Sequence, residues 1–396
     1  MITFPKELQI NTLEATLQEI NQSPSDLMIP IAAKSSYFGG LSSAIQCINT
    51  WVRFCSDKKL IFKESIKPFD EQLKNIVNQQ YKFSGALMAK SITLSNANEE
   101  RDIKSELHRV AKTHIEQQSR ESHGFHRGNI CSFSFVDHST KGFDKNFYLQ
   151  TNLPKQPPRK DDQIENIIRD MIDKTFYTAG GAAPLPDSDY ELIGRIFTEL
   201  FKNTHEHGSR DLDREKWLKP AVRTIYTKTL NLGEVAAQNM VAGADVLASY
   251  IASLSDHNIE RRRYLELGIV DSGLGFYQRW QADHSGESLA ELPNIKQEYE
   301  IFEKCFSFRS TSSSEDHKGM GLPTVMERLT ELKGFMKVRS GRLSLYRDFN
   351  SQPYQLNGDC VFYDWNTMQP GTLNPTAMSN TAGVSITLLV PLGDKS

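Results

Sequence analysis

An α+β fold with more than one domain is predicted for this chain by two patterns in its sequence. Between residues 27 and 62, an apolar run, a glycine-led amphipathic helix and a second apolar run favour a parallel βαβ unit. In the C-terminal half, amphipathic helices alternate with longer apolar runs that are typical of buried strands. The length of 396 residues is too great for one ordinary core, so two or three domains are expected.

The first domain is expected over residues 1–90, as a small α/β unit. Strands are predicted over residues 27–33 and 59–62, and a helix is predicted over residues 39–55, where apolar side chains recur at helical spacing. Residues 91–159 are interpreted as a helical connector with short strands. Residues 91–121 are charged and prone to form a helix, and "ICSFSFVDHS" and "FYLQTNL" alternate apolar and polar residues.

The proline-rich and charged segment 154–163 marks the boundary of a third region, residues 160–396. An amphipathic helix is predicted at "IENIIRDMIDKTF", and a second helix follows, with Asp187 or Ser188 placed to cap it. That second helix leads into the stretch "ELFKNTHEHG", which carries polar residues along a helix that otherwise has an apolar face. The apolar run "AGVSITLLVPL" predicts a closing strand.

Charge and composition narrow the class of protein. The chain has 46 basic and 49 acidic residues, and a net charge of -3 gives no reason to expect nucleic acid or an anionic membrane as a partner. No apolar run is long enough to span a bilayer, and the N-terminus does not resemble a signal peptide. The five cysteines form no CxxC pair, which favours free thiols in a reducing compartment. We therefore expect a cytoplasmic protein.

Three separated stretches carry side chains suited to a nucleotide. In "ELFKNTHEHG", Glu199, Asn203 and His207 recur every four residues and therefore share one face of a helix. The amide oxygen of Asn203 is a hard ligand suited to Mg²⁺. Glu199, one turn earlier, can orient or deprotonate a water molecule.

The other two stretches supply a strand end and a helix start. "LELGIVDSGLGF" ends in Asp271, which can accept a hydrogen bond from an exocyclic amine, while Gly273 and Gly275 allow the backbone to approach a flat ring. "KGMGLPTVMERLTEL" places Gly319 and Gly321 before a helix, whose free N–H groups suit phosphate. Each motif alone is more typical of a tight turn or a solvated surface than of a ligand site; it is their combination that indicates a nucleotide site.

The series ExxxN, DxGxG and GxGL, in that order, resembles the GHKL ATPase superfamily of gyrase, the large heat-shock chaperone, histidine kinases and mismatch-repair clamps. Residues 301–313 are similar to the phenylalanine box and lid entrance of histidine kinases, with Phe302, Glu303 and Phe306. The resemblance covers residues 160–396. It implies a Bergerat-type α/β sandwich, in which helices cover one face of a mixed sheet, with insertions near residues 233–254 and 343–381.

The resemblance also implies roles for individual residues. Glu199 would be catalytic, Asn203 would coordinate Mg²⁺, and Asp271 would read the adenine amine of ATP. Gly273 and Gly275 would line the base pocket. The remaining cofactor-binding residues would meet the phosphates; these are Lys318, Gly319, Gly321 and Leu322, and Arg309 near the lid is a further candidate.

Two departures from the family pattern bear on the chemistry. Glu206 stands where histidine kinases have a base, and an acid at this position is more similar to the ATP-hydrolysing members of the superfamily. The stretch "HKGMGL" lacks the leading glycine of the usual motif. His108 and His114 lack the acid and the proline that accompany a phosphoacceptor histidine, so we interpret them as surface residues. The N-terminal unit vaguely resembles STAS domains, with Ser35 or Ser36 near the phosphoacceptor position; a scaffold unit without that function is the alternative.

Three functions follow as hypotheses. The first is a Mg²⁺-dependent ATP-binding and ATP-hydrolysing regulatory protein, whose nucleotide state controls lid closure and a protein partner. The second is a protein kinase of the histidine type or of the anti-sigma serine type. The third is a nucleotide-sensing switch that does not hydrolyse ATP. A homodimer is a further expectation from the resemblance.

Overall fold

The computed structural model describes residues 1–34, 37–96, 98–120, 124–139, 143–149, 157–178, 185–232, 240–241, 244–254, 262–284, 292–307, 321–355 and 360–392. Within these residues the protein is α+β, as predicted, and contains a five-stranded sheet and an eight-stranded sheet. Helices pack between the two sheets and also on the far side of the larger one.

The smaller sheet is mixed. Four strands run parallel in sequence order, β1 (Ile2–Thr3), β2 (Leu27–Ile29), β3 (Lys59–Lys63) and β4 (Ser91–Ser95), and β5 (Glu100–Asp102) is antiparallel to β4. The parallel pairing of β2 with β3 confirms the predicted βαβ unit. Its helices are α1 (Ile10–Gln22), α2 (Gly40–Phe54), α3 (Phe69–Val77) and α4 (Gln80–Met88).

The charged stretch after residue 90 differs from its prediction as a connector helix. Its first part forms β4 and β5, because Ile92 and Leu94 are buried at alternate positions and complete the small sheet. The helix α5 begins only at Lys104 and spans Lys104–Arg120. His114 on α5 is not a surface residue, since its ring is buried between those of Phe83 and Phe125.

The larger sheet has the strand order β12-β11-β10-β13-β9-β8-β7-β6. The prediction of a mixed sheet is wrong here, because every neighbouring pair is antiparallel. Apolar alternation does not reveal strand direction, since both orientations bury the same side chains. The strands are β6 (Phe125–Arg127), β7 (Ile130–Val136), β8 (Val222–Leu232), β9 (Arg262–Val270), β10 (Phe335–Gly341), β11 (Leu343–Asp348), β12 (Tyr363–Asp364) and β13 (Thr381–Leu392).

Helices of the C-terminal region cover one face of the larger sheet and build its main core. The predicted helix that carries the polar stretch is present as α7, although its N-cap is Pro186 and no side chain caps it. The helices that follow β7 are α6 (Asp161–Thr178), α7 (Asp187–Asn203), α8 (Asp245–Ser253), α9 (Gly275–His284), α10 (Ile295–Phe306) and α11 (Gly321–Glu331).

Helices cover the other face as well, which corrects the expectation of a one-sided sandwich. α2 contacts β9 and β13, and α4 contacts β7 and β8. α2 is buried along almost its whole circumference, because it lies between the two sheets. A helix that is buried all round needs partners on both sides, and the larger sheet provides the second one.

Two smaller predictions can be placed in this fold. In "FYLQTNL", the described residues 147–149 form no strand; Tyr148 makes only an isolated bridge with Pro158. The side chains of the consecutive residues Phe147 and Tyr148 are both buried, whereas a strand would direct them to opposite faces. Within residues 233–254, α8 packs against Phe335 of the larger sheet.

Candidate functional site

The stretch "ELFKNTHEHG" begins on α7 and ends in a π-helical turn, Thr204–Gly208. π-helical turns are rare and occur frequently at functional sites. Asn203 is the last residue of α7, so it stands where the helix changes its winding. His207 lies within the π turn, where its Nδ1 is 3.3 Å from a guanidinium nitrogen of Arg214.

The start of α11 lies directly against α7. A Cβ atom added to Gly321 would be 2.8 Å from Glu199 Oε2 and 3.6 Å from Asn203 Nδ2. The first N–H groups of a helix have no partner within the helix, and they carry its positive dipole end. The structure therefore brings an acid, an amide and the start of a helix together.

The side chains of Glu199 and Asn203 are available for further contacts. Asn203 Nδ2 is buried and has no hydrogen-bond partner among the described residues. The side chain of Glu199 is 30% exposed, and its Oε1 lies 3.6 Å from Lys202 Nζ. Burial raises the pKa of Glu199, and the nearby Lys202 ammonium opposes that shift. A carboxylate with a raised pKa is a better base at neutral pH than an ordinary one.

Asp271 follows directly after β9 and contacts the end of the π turn. A Cβ atom added to Gly208 would lie 2.6 Å from Asp271 Oδ2, so only glycine fits there. Among the described residues, the backbone N–H groups of Gly273 and Val384 both donate to Oδ1, at 2.9 and 3.2 Å. Burial raises the pKa of Asp271 to about 6, although those two donors lower it.

The glycines after Asp271 have packing reasons of their own. A Cβ atom on Gly273 would lie 2.5 Å from the carbonyl oxygen of Gly208. Gly275 has φ +82 and packs against Ser340, on the strands rather than beside the Asp271 side chain. The side chain of Leu322 belongs to the main core, so only its backbone N–H would be free to meet a phosphate.

Several predicted positions lie outside the described residues. These are Arg309, Lys318 and Gly319, which lie between α10 and α11 in the sequence, and Ser35 and Ser36 in the N-terminal unit. Phe302 and Phe306 of the phenylalanine box are described and buried on α10, where both rings pack against Phe276.

A buried polar network beneath the π turn was not predicted from the sequence. Arg223 is fully buried and donates to both carboxylate oxygens of Asp137, at 2.8 and 2.7 Å. It also donates to Tyr148 Oη at 2.7 Å and to Thr204 Oγ1 at 3.3 Å. The signal was present, since Arg223 interrupts an apolar strand and Asp137 ends one. The network fixes the π turn immediately after Asn203.

Comparison of the chain with protein-family models, with curated proteins and with solved structures gives no match. In the described part of the chain, no helix has the length and apolar character to cross a bilayer. The same residues contain no group of three His, Cys, Asp or Glu side chains arranged to hold a metal ion. An Mg²⁺ ion held by Asn203 together with phosphate oxygens and water would not require such a group.

Proposed function

We propose that this protein binds Mg²⁺-ATP between α7, the end of β9 and the start of α11, and hydrolyses it. The observation that carries the proposal is a double contact. Gly208 at one end of the polar stretch packs against Asp271, while at the other end Glu199 and Asn203 line the space beside Gly321 that a Cβ atom would enter. Three sequence-distant motifs therefore meet along one polar stretch, and this supports the proposal.

Each side chain has a task in this proposal. Asp271 would accept a hydrogen bond from the adenine amine through Oδ2, because the two described donors to this carboxylate meet Oδ1. The N–H groups at the start of α11 would meet the phosphates. Asn203 would hold the Mg²⁺ through its amide oxygen, and the bound ion would neutralise phosphate charge.

Glu199 would act as the general base in the chemical step. Its carboxylate takes a proton from a water molecule, the water oxygen bonds to the γ-phosphorus, and the bond from that phosphorus to the bridging oxygen breaks, which releases ADP. The nucleotide state would control lid closure and a protein partner, which makes the ATPase regulatory.

The test is Glu199→Gln, with ATP binding measured by calorimetry and turnover measured by phosphate release. We expect ATP affinity to remain and turnover to fall by about 10²–10⁴-fold, because only the base is removed. Glu191→Gln is the matched control, since Glu191 lies on the exposed side of the same helix and pairs with Arg195. Equal turnover in wild type and Glu199→Gln would remove Glu199 from the mechanism.

The same samples separate the alternative functions. Incubation with γ-labelled ATP would leave acid-stable label on a serine kinase or its target, and acid-labile label on a histidine kinase. Free phosphate as the only labelled product supports the ATPase. Tight ATP binding with negligible turnover would instead indicate a nucleotide-sensing switch.

A further inference from the structure

The helix α2 presents a polar side to the larger sheet. Asn49, Thr50 and Arg53 follow Gln46 by three, four and seven residues, so all four share one side of this helix. This side is directed at β13 and at the turn after β9. The N-terminal unit thus contacts the backbone of the proposed base pocket through α2.

Arg53 and Asn49 bind the two peptide carbonyls at Asp271 and Ser272. Arg53 donates to the carbonyl oxygen of Ser272 from Nε at 3.0 Å and from a terminal nitrogen at 2.9 Å. It also donates to the carbonyl oxygen of Pro220 at 2.6 Å. Asn49 Nδ2 donates to the carbonyl oxygen of Asp271 at 3.1 Å. The backbone on which the Asp271 carboxylate is mounted is therefore held from α2.

The opposite side of the turn is held by β13, which α2 also contacts. Gly383 N–H donates to the carbonyl oxygen of Gly273 at 2.7 Å. One residue earlier, the N–H of Ala382 donates to Thr50 Oγ1 at 3.0 Å. Both backbone segments that flank the Asp271 side chain are consequently fixed relative to α2.

Packing alone does not account for this polar side. Asn49 is fully buried, and its Oδ1 has no partner among the described residues. Burying an unpaired polar atom destabilises the fold, and an apolar residue would avoid this cost. Partial burial also lowers the pKa of Arg53 to about 10, so its charge is held at some cost. Such groups are retained where a specific geometry matters.

We infer that α2 sets the direction of the Asp271 carboxylate, and that Arg53 and Asn49 are positioning residues for adenine recognition. This inference rests on the proposed function, because it concerns the same pocket. It makes the N-terminal unit part of the nucleotide site, so that a displacement of α2 would be transmitted to base recognition.

The test measures whether the loss of nucleotide affinity in Arg53→Gln requires the adenine amine. Mg²⁺-ATP and the triphosphate of purine riboside, which lacks that amine, are titrated by calorimetry into wild type and variant. We expect ATP affinity to fall by about tenfold, the value of one charge-assisted hydrogen bond, while affinity for the analogue changes by less than about twofold. Arg101→Gln is the matched control, an exposed arginine of the same unit that pairs with Glu106.

The outcomes distinguish the inference from the proposed function. An equal loss for both nucleotides in Arg53→Gln means a merely structural role and overturns the inference. The inference also fails if wild type prefers ATP and the variant keeps that preference in full. Failure of wild type to bind either nucleotide overturns the proposed function. If Arg53→Gln does not fold, Arg53→Lys decides by the same comparison, because lysine keeps the charge but lacks the guanidinium fork.

Discussion

Asp271 carries an ionisable group where burial disfavours its charge. The residue is 2% exposed, and burial raises the pKa of its carboxyl to about 6 despite two backbone donors. A neutral side chain of the same shape would avoid this cost. A buried carboxyl group with a raised pKa at the end of a strand is typical of a functional group rather than of a structural one.

We predict that Asp271→Asn is more stable than wild type at pH 8. The folded-state pKa lies above the ordinary value of 3.8, so the stability that protonation provides is lost as the pH rises through about 6. The asparagine variant does not ionise, and its free energy of unfolding should exceed that of wild type by up to about 3 kcal/mol above pH 7. Urea unfolding at pH 5 and pH 8 measures this, and the difference should shrink at pH 5.

The same variant should bind Mg²⁺-ATP more weakly, because an amide N–H₂ group can replace the acceptor that faces the base. Asp57→Asn is the control for both measurements, since Asp57 is a highly exposed carboxylate. A variant that is destabilised at both pH values would show that the charge of Asp271 supports the fold and would contradict this account.

At the scale of single elements, the π turn depends on a histidine that is held neutral. His205 is buried beside Tyr148, whose hydroxyl lies 3.2 Å from Nδ1, and the guanidinium groups of Arg223 and Arg210 are nearby. Burial lowers the pKa of His205 well below its usual range, and the two positive charges lower it further. The turn that follows Asn203 is therefore built for an uncharged imidazole.

We predict that His205→Gln reduces the acid sensitivity of the protein. A folded-state pKa below the ordinary 6.5 means that the unfolded chain binds the proton first, so stability falls as the pH drops below 6.5. Melting temperatures measured between pH 7 and pH 5 should fall more steeply for wild type than for the variant. The exposed His126 provides the control His126→Gln, which should retain the wild-type slope. Equal slopes for all three proteins would contradict the prediction.

The elements that the sequence predicted best are those with long, regular patterns. α7, β9 and β13 carry helical or strand periodicity over many residues. Because Glu199 and Asn203 lie on α7 and Asp271 follows β9, the positions of these residues in the fold could be predicted as well. The Arg223–Asp137 pair escaped prediction because its members are 86 residues apart and no local pattern links them. The antiparallel order of the larger sheet escaped it because side-chain alternation is independent of strand direction.

At the scale of the whole molecule, the N-terminal unit is joined to the larger sheet by buried polar contacts. Arg339 on β10 donates to both carboxylate oxygens of Glu14 on α1, at 2.8 and 3.1 Å. Lys337 on the same strand is 3% exposed, and burial lowers its pKa to about 8. Tyr226 of β8 lies in the core of the N-terminal unit. Separation of the two sheets would break the Glu14–Arg339 pair and would expose the buried ring of Tyr226 to water.

We therefore predict that the two sheets unfold in one cooperative transition. Trp51 reports on the N-terminal core and Trp365 on the larger sheet. In each of two variants that retain only Trp51 or only Trp365, the fluorescence midpoint should therefore coincide with the circular dichroism midpoint of the same variant. Glu14→Gln should lower both midpoints together, because it leaves Arg339 buried without its charged partner at a cost of about 3 kcal/mol or more. Glu19→Gln, on the exposed side of the same helix, should lower neither. Separate midpoints, of which Glu14→Gln moves only one, would mean that the sheets are independent domains, and α2 would then have no rigid hold on the turn at Asp271.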